Sequence, residues 1–166
     1  MARPKAKPPT IGNTHAFLGN FPLKVLSGYR IVLPAPYKKV LNTGVVLTKG
    51  LENNLYVFDL NNWQKIISPL TNANFLHTNI RKLLRYLSAW AFILEPDKQG
   101  RIVIPQPLRS IGNHPIKAGD SLIMAGIYNW AEIWREPDWY EHTTKLKKSI
   151  HQLSDDVAKL IDSTNE

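Results

Sequence analysis

The chain has 166 residues, 43% of them hydrophobic, which suits one ordinary domain or two small ones sharing a core and excludes a globally disordered protein. It contains no cysteine, so disulfides, thiolate metal sites and cysteine nucleophiles are excluded, and no apolar run approaches the roughly 18 residues of a membrane span. The formal charge of +8 is segregated, since residues 1–94 carry 12 Lys and Arg against Glu52 and Asp59 while residues 95–166 carry 9 against 11 acids; this is the balance expected where one part of a protein meets a polyanion.

Residues 1–13 form a basic, proline-rich arm, expected to be disordered in isolation, without the apolar stretch of a secretory leader. Ordered structure is expected from "HAFLGNFPLKVL", an extended segment. "RIVLP" follows as a β-branched strand ended by Pro34, and "PAPYKKVL" as a short helical turn with Pro36 in its first turn. "GVVLTKG" and "NLYVFDL" read as a strand pair. "NNWQKIISPL" reads as a short helix capped by an Asn and stopped near Pro69. In "TNIRKLLRYLSAWAFIL", Leu83, Leu84, Leu87 and Trp90 fall at helical spacing, with Arg81, Lys82 and Arg85 on the other face.

The order then repeats. "RIVIP" is a strand, "QPLRSIG" a short helical turn, "SLIMAG" with "AEIWRE" a strand pair, and "PDWYEHTTKLKKSIHQL" opens a helix with Pro137 and Asp138 in its first turn. "SGYRIVLPAPYKK" and "DKQGRIVIPQPLR" share an Arg, three apolar residues, Pro-x-Pro and a basic residue eight positions after the Arg; the two arginines lie 71 positions apart. Gly50, Phe58 and Trp63 match Gly126, Trp134 and Trp139 without a gap, so the duplication spans about 45 residues. From residue 141 to about 162 the chain reads as an amphipathic helix of mixed charge.

In "DKQGR", Asp97 has the side chain to accept backbone N–H bonds in a turn, and Gly100 the freedom for a positive φ. Arg101 leaves that turn at the start of a strand. A guanidinium so placed loses little entropy on gripping phosphate or a guanine edge. The plainer possibility is that Asp97 and Arg101 pair with each other and pin the turn.

"DKQGRIVIPQPLR" resembles the Asp-x-x-x-Arg segment of SpoVT/AbrB-type DNA-binding modules. Two such modules joined by "NIRKLLRYLSAWAF" and closed by "GIYNWAEIWREPDW" resemble the MraZ family of bacterial transcriptional regulators, over residues 16 to about 145. The resemblance implies an α+β, β-rich fold of two tandem swapped-hairpin β-barrel modules with a connecting helix and a C-terminal helix. The expected spans are 16–68 for the first module, 69–92 for the linker with its helix, 93–140 for the second module and 141–166 for the helix and tail. It further implies ring-shaped homo-oligomers that bind direct repeats of double-stranded promoter DNA in the division and cell-wall gene cluster, in the cytoplasm and associated with the nucleoid. Residue by residue, Arg30 and Arg101 match the motif Arg, Asp97 its Asp and Gly100 its Gly, while Lys38, Lys39 and Arg109 take the positions of further basic DNA contacts. Lys24 and Lys98 are expected to support them, and Arg3, Lys5 and Lys7 to add non-specific attraction. The first copy departs from the pattern with Leu26 for Asp and Tyr29 for Gly, so its turn is expected to differ in shape and Arg30 to lack a carboxylate partner. Tyr29 is expected to pack over its own turn, or else to stack on a sugar or base.

The five histidines (15, 77, 114, 142 and 151) show no metal-ligand spacing, and no nucleophile elbow, P-loop or dinucleotide fingerprint is present, so neither a cofactor, a metal nor catalysis is expected. Asp138 and Glu141 read as helix-dipole partners. Trp63, Trp130, Trp134 and Trp139 read as packing residues, with a subunit contact as the alternative. The rival functional reading is an interaction protein, either antitoxin-like or a scaffold.

Overall fold

The computed structural model describes residues 16–74 and 76–164, so the arm with Arg3, Lys5 and Lys7, and His15, lie outside the described residues. The first copy contributes strands β1 (Asn20–Lys24) and β2 (Arg30–Val32), helix α1 (Ala35–Leu41), strands β3 (Val45–Lys49) and β4 (Leu55–Asp59), and helix α2 (Leu60–Asn72). Helix α3 (Thr78–Ala89) connects to the second copy: β5 (Phe92–Leu94), β6 (Arg101–Val103), a single 3-10 turn (Gln106–Leu108), β7 (Ser110–Ile111), β8 (His114–Pro115), β9 (Ser121–Gly126), β10 (Ala131–Arg135) and helix α4 (Glu136–Thr164). The architecture of the described residues is α+β and strand-rich, with four helices.

Six strands form one sheet in the order β1-β9-β10-β4-β3-β5. β1 thus lies beside a strand of the second copy, and β5 beside a strand of the first. Between β10 and β4, Ala131 faces Val57 and Ile133 faces Leu55, so equivalent residues of the two copies exchange places across the centre of the sheet. The same exchange occurs in a separate two-stranded ribbon, where Arg30 faces Val103, Ile31 faces Ile102 and Val32 faces Arg101.

The sheet is covered on both sides. One face meets the ribbon, α1 and the 3-10 turn, burying Val45, Leu47, Val57, Met124 and Ile133 with Ile31, Leu33, Tyr37, Ile102, Ile104 and Leu108. Burial of each such aliphatic side chain contributes about 1.5–3 kcal/mol, so the inward face of the ribbon is firmly held. The other face meets the helices: Trp63 of α2 packs on Phe58 at 5.5 Å, the Thr48 hydroxyl donates to the Leu87 carbonyl of α3 at 2.8 Å, and Trp139 of α4 packs on Trp134 at 6.1 Å. With both faces covered, β3, β9 and β10 are buried at nearly every position rather than at alternate ones. Glu132, buried in β10, accepts bonds from the Trp130 and Trp134 indole N–H groups.

Several local expectations change. α2 is capped by Asp59, whose Oδ1 accepts from the Asn61 and Asn62 backbone N–H groups, rather than by an Asn. Pro69 does not stop this helix, which continues to Asn72; proline removes one N–H and clashes one turn back, but near a solvent-facing end that cost is tolerated. The expected apolar face of α3, which packs against β3 and α2, is covered only in part, with Leu87 buried and Leu83 exposed. The C-terminal helix runs without interruption from Glu136 to Thr164. The extra residues of the second copy form the small β7–β8 hairpin.

A candidate nucleic-acid interface on a paired ribbon

Alternation along the ribbon decides what faces solvent. Ile31 and Ile102 point into the core, so Arg30, Val32, Arg101 and Val103 share the outer face, with Val32 and Val103 39% and 45% exposed. Arg30 and Arg101 stand diagonally across it, a relation that places Cβ atoms about 7–8 Å apart or somewhat less. Each strand is ended by a Pro that cannot donate to the ladder, Pro34 and Pro105, and each is entered through a tight turn.

The two turns are built differently. In the second, Asp97 Oδ1 accepts from the Gln99 and Arg101 backbone N–H groups at 2.9 Å each, and Gly100 sits at φ +74°. Arg101 Nε donates to Asp97 Oδ2 at 2.7 Å. The Arg101 backbone N–H and then its guanidinium hold the Asp97 carboxyl below the ordinary carboxylate range. The pairing reading of Asp97 and Arg101 is therefore what this turn contains. In the first turn, Gly28 and Tyr29 both have positive φ, +73° and +58°. Leu26 offers no carboxylate, and the Leu26 backbone N–H donates to the Arg30 carbonyl as Asp97 does to Arg101. Among the described residues no acid pairs with Arg30, whose guanidinium lies against Gly28.

Each turn is braced by a basic residue of the other copy. Lys38 Nζ donates to the Gln99 carbonyl at 2.8 Å, its stem against Gly100. Arg109, at the matching position, donates from Nε to the Ile104 carbonyl at 2.9 Å and stacks on the Tyr29 ring at 3.9 Å. Such stacking is worth about 0.5–2 kcal/mol, so Arg109 is held inward and Tyr29, half-buried, neither packs merely over its own turn nor stands free. Sequence reasoning missed this pair, although the 71-position offset, which places Tyr29 opposite Gly100 and Lys38 opposite Arg109, carried the signal.

The expected basic residues thus fall into two groups. Arg30, Lys39 and Lys98 are exposed, and Arg101 is outward but tied to Asp97. Lys38 and Arg109 brace the turns. Lys24, exposed at the end of β1, donates to the Ser121 hydroxyl at 2.7 Å and the Gly119 carbonyl at 3.2 Å. On α3, Lys82 and Arg85 are exposed, while Arg81 donates to the Leu76 carbonyl and the Thr78 hydroxyl. Asp138 pairs with Arg135 at 3.5 Å, and Glu141 pairs with Lys145 one turn on. Among the described residues no helix is long and apolar enough to cross a membrane.

The fold and this surface define an internally duplicated, strand-rich α+β protein whose two copies jointly build one basic ribbon. The family model described as "MraZ protein, putative antitoxin-like" matches residues 17–86. The chain is 35% identical over 112 residues to "Transcriptional regulator MraZ" of Thermus thermophilus, covering 68% of this chain and 76% of that protein. It is 32% identical over 138 residues to the protein of that name from Caldanaerobacter subterraneus, covering 83% and 94%. The Desulforamulus reducens protein of the same name is 28% identical over 145 residues, covering 87% and 99%. The chain belongs to the MraZ family.

Proposed function

We propose that this chain is a sequence-specific, non-catalytic DNA-binding regulator of transcription. The observation that carries this reading is the outer face of the β2–β6 ribbon, where Arg30 and Arg101 flank Val32 and Val103 on a rigidly buried base. A two-stranded ribbon fits the major groove of B-DNA, where arginine reads guanine and small apolar groups meet the thymine methyl. Lys24, Lys39 and Lys98 then supply phosphate contacts, while Lys38 and Arg109 act by holding the turns in shape. The interleaved pairing of β1 with β9, β5 with β3 and β2 with β6 supports two tandem swapped-hairpin modules spanning 16–68 and 93–140, joined through 69–92 and followed by 141–166. Family membership supports direct repeats in the division and cell-wall promoter region as the target, a ring-shaped homo-oligomer as the binding unit, and a cytoplasmic, nucleoid-associated place of action.

The test is selection from random duplexes followed by titration against salt. With about four phosphate contacts per subunit, log K falls with log salt at a slope near −3.6, from about −0.9 per contact. Arg30→Ala weakens binding more than Lys82→Ala does. A flat salt response, or equal losses from the two variants, refutes the proposed surface. An antitoxin-like role, suggested by the wording of the family description, predicts instead that a small partner protein co-purifies with the chain and that DNA binding is weak and unselective.

A further inference from the structure

Helix α4 extends well beyond the body it springs from. Trp139 and His142 pack on Trp134, but every residue from Thr144 to Thr164 is exposed. This stretch is about 30 Å long at 1.5 Å per residue. Nothing among the described residues covers it, and an isolated helix of that length is marginal in water. Its apolar residues are nonetheless ordered. Leu146, Ile150, Leu153, Val157 and Leu160 recur at alternating steps of four and three, and are 39–65% exposed. A helix that packs on a globular surface carries a wider stripe; alternating fours and threes make the narrow seam of a coiled coil.

We infer that residues 143–164 form a parallel two-stranded coiled coil with a second copy of this chain. The seam places leucine at every d position (146, 153 and 160) and β-branched residues at the intervening a positions (150 and 157, with Thr143 and Thr164 at the ends). β-Branched a residues with leucine at d favour two parallel strands, where a packs on a and d on d. The charges agree with that choice. Lys145, Lys148, Asp155, Lys159 and Asp162 fall at positions c and f, facing away from the seam, so aligned copies do not press lysine against lysine. The positions flanking the seam are mostly small or apolar, with Ser149, Ser154, Ser163 and Ile161 beside Lys147 and Asp156. A partner of different sequence would not need this identical layering of residues, whereas a second copy supplies it by symmetry. The pairing goes beyond the proposed DNA-binding role and does not depend on it.

The absence of cysteine makes the test direct. In the 166-residue chain, Thr164→Cys places a thiol at the last a position of the seam and Asp155→Cys places one at f, facing outward. Under mild oxidation at micromolar concentration, Thr164→Cys gives a covalent dimer and Asp155→Cys does not. Adding Leu153→Asp to Thr164→Cys slows dimer formation by about a hundredfold, since it puts two carboxylates into a desolvated layer. Native mass measurement of Leu153→Asp alone then shows fewer copies per particle than the parent. The inference is overturned if Thr164→Cys stays monomeric, if its dimer survives Leu153→Asp, or if Asp155→Cys reacts as fast. It is also overturned if Leu153→Cys links while Thr164→Cys does not, which would mean an antiparallel pair.

Discussion

Gly100 is the position where a single methyl group tests how the ribbon's turns are held. Its φ of +74° lies in the left-handed region, and an added Cβ would come within 2.6 Å of Lys38 Cε and 2.9 Å of Lys38 Cδ. Two costs follow from Gly100→Ala. The left-handed conformation costs an L-residue about 1–2 kcal/mol. Lys38 must also swing away, losing its 2.8 Å bond to the Gln99 carbonyl, which at an exposed site is worth about 0.5 kcal/mol. The expected loss is therefore about 2 kcal/mol. It is read from urea unfolding at fixed protein concentration as a lower midpoint with unchanged slope. In a Lys38→Ala background the conflict with Lys38 is gone but the backbone strain remains, so Gly100→Ala there costs about 1–2 kcal/mol, a small coupling. No loss in the parent, or a loss that vanishes with Lys38→Ala, would show that backbone conformation does not govern this turn. The first copy already carries the strained alternative, with Tyr29 at φ +58°, and gains in return a ring beneath the Arg109 guanidinium.

Gly126→Ala is the harsher glycine change, because its Cβ would sit 2.4 Å from the Phe17 carbonyl carbon and 2.5 Å from the Tyr37 hydroxyl; a destabilisation of about 1–3 kcal/mol or more is expected in the same unfolding assay. Tyr37→Phe removes a hydroxyl that donates to the Leu18 and Gly19 carbonyls and costs about 1 kcal/mol at neutral pH. Burial pushes the Tyr37 phenol up to about 12, while an unfolded chain releases that proton near 10.0. Between those values the folded state holds a proton the unfolded state has lost, so stability falls as pH rises, by at most about 1.4 kcal/mol per unit. Tyr37→Phe should flatten that slope, and an unchanged slope would contradict the assignment. Asp97→Asn keeps an oxygen for the turn's N–H groups but releases Arg101, so DNA affinity should rise and the salt slope steepen by up to about one contact. Because the folded Asp97 carboxyl ionises below its ordinary range, its contribution to stability is present above that range and lost as pH falls through the folded value; the Asn variant should lack this acid-side decline.

Arg101 illustrates how a local partner within the same turn ties up a residue that the motif marks as a contact. Its nearest acid, Asp97, lies four positions away in sequence, and their pairing occupies Nε. Arg30 has the same place on the ribbon without that partner. Among the described residues, the altered first motif is therefore the one with its guanidinium unclaimed by an acid, and the acid-poor half of the chain carries it. This eases the tension between a cleaner motif in the second copy and a stronger charge in the first.

What the amino-acid order settled by itself was local. β-Branched triplets closed by proline made β2 and β6, the spacing of apolar residues made α3, and Asp97 with Gly100 made a turn, because each depends on backbone preferences within a few residues. The duplication was legible too, since it is a property of the string. Tertiary structure alone decided which copy each strand pairs with, and that Lys38 and Arg109 brace the opposite copy's turn. Those contacts join residues some 60 to 100 positions apart, such as Lys38 with Gln99 at a separation of 61 and Lys24 with Ser121 at 97. No local propensity encodes them. They follow from burying Ile31 against Ile102, which brings the two arginine strands together and sends the charged side chains outward.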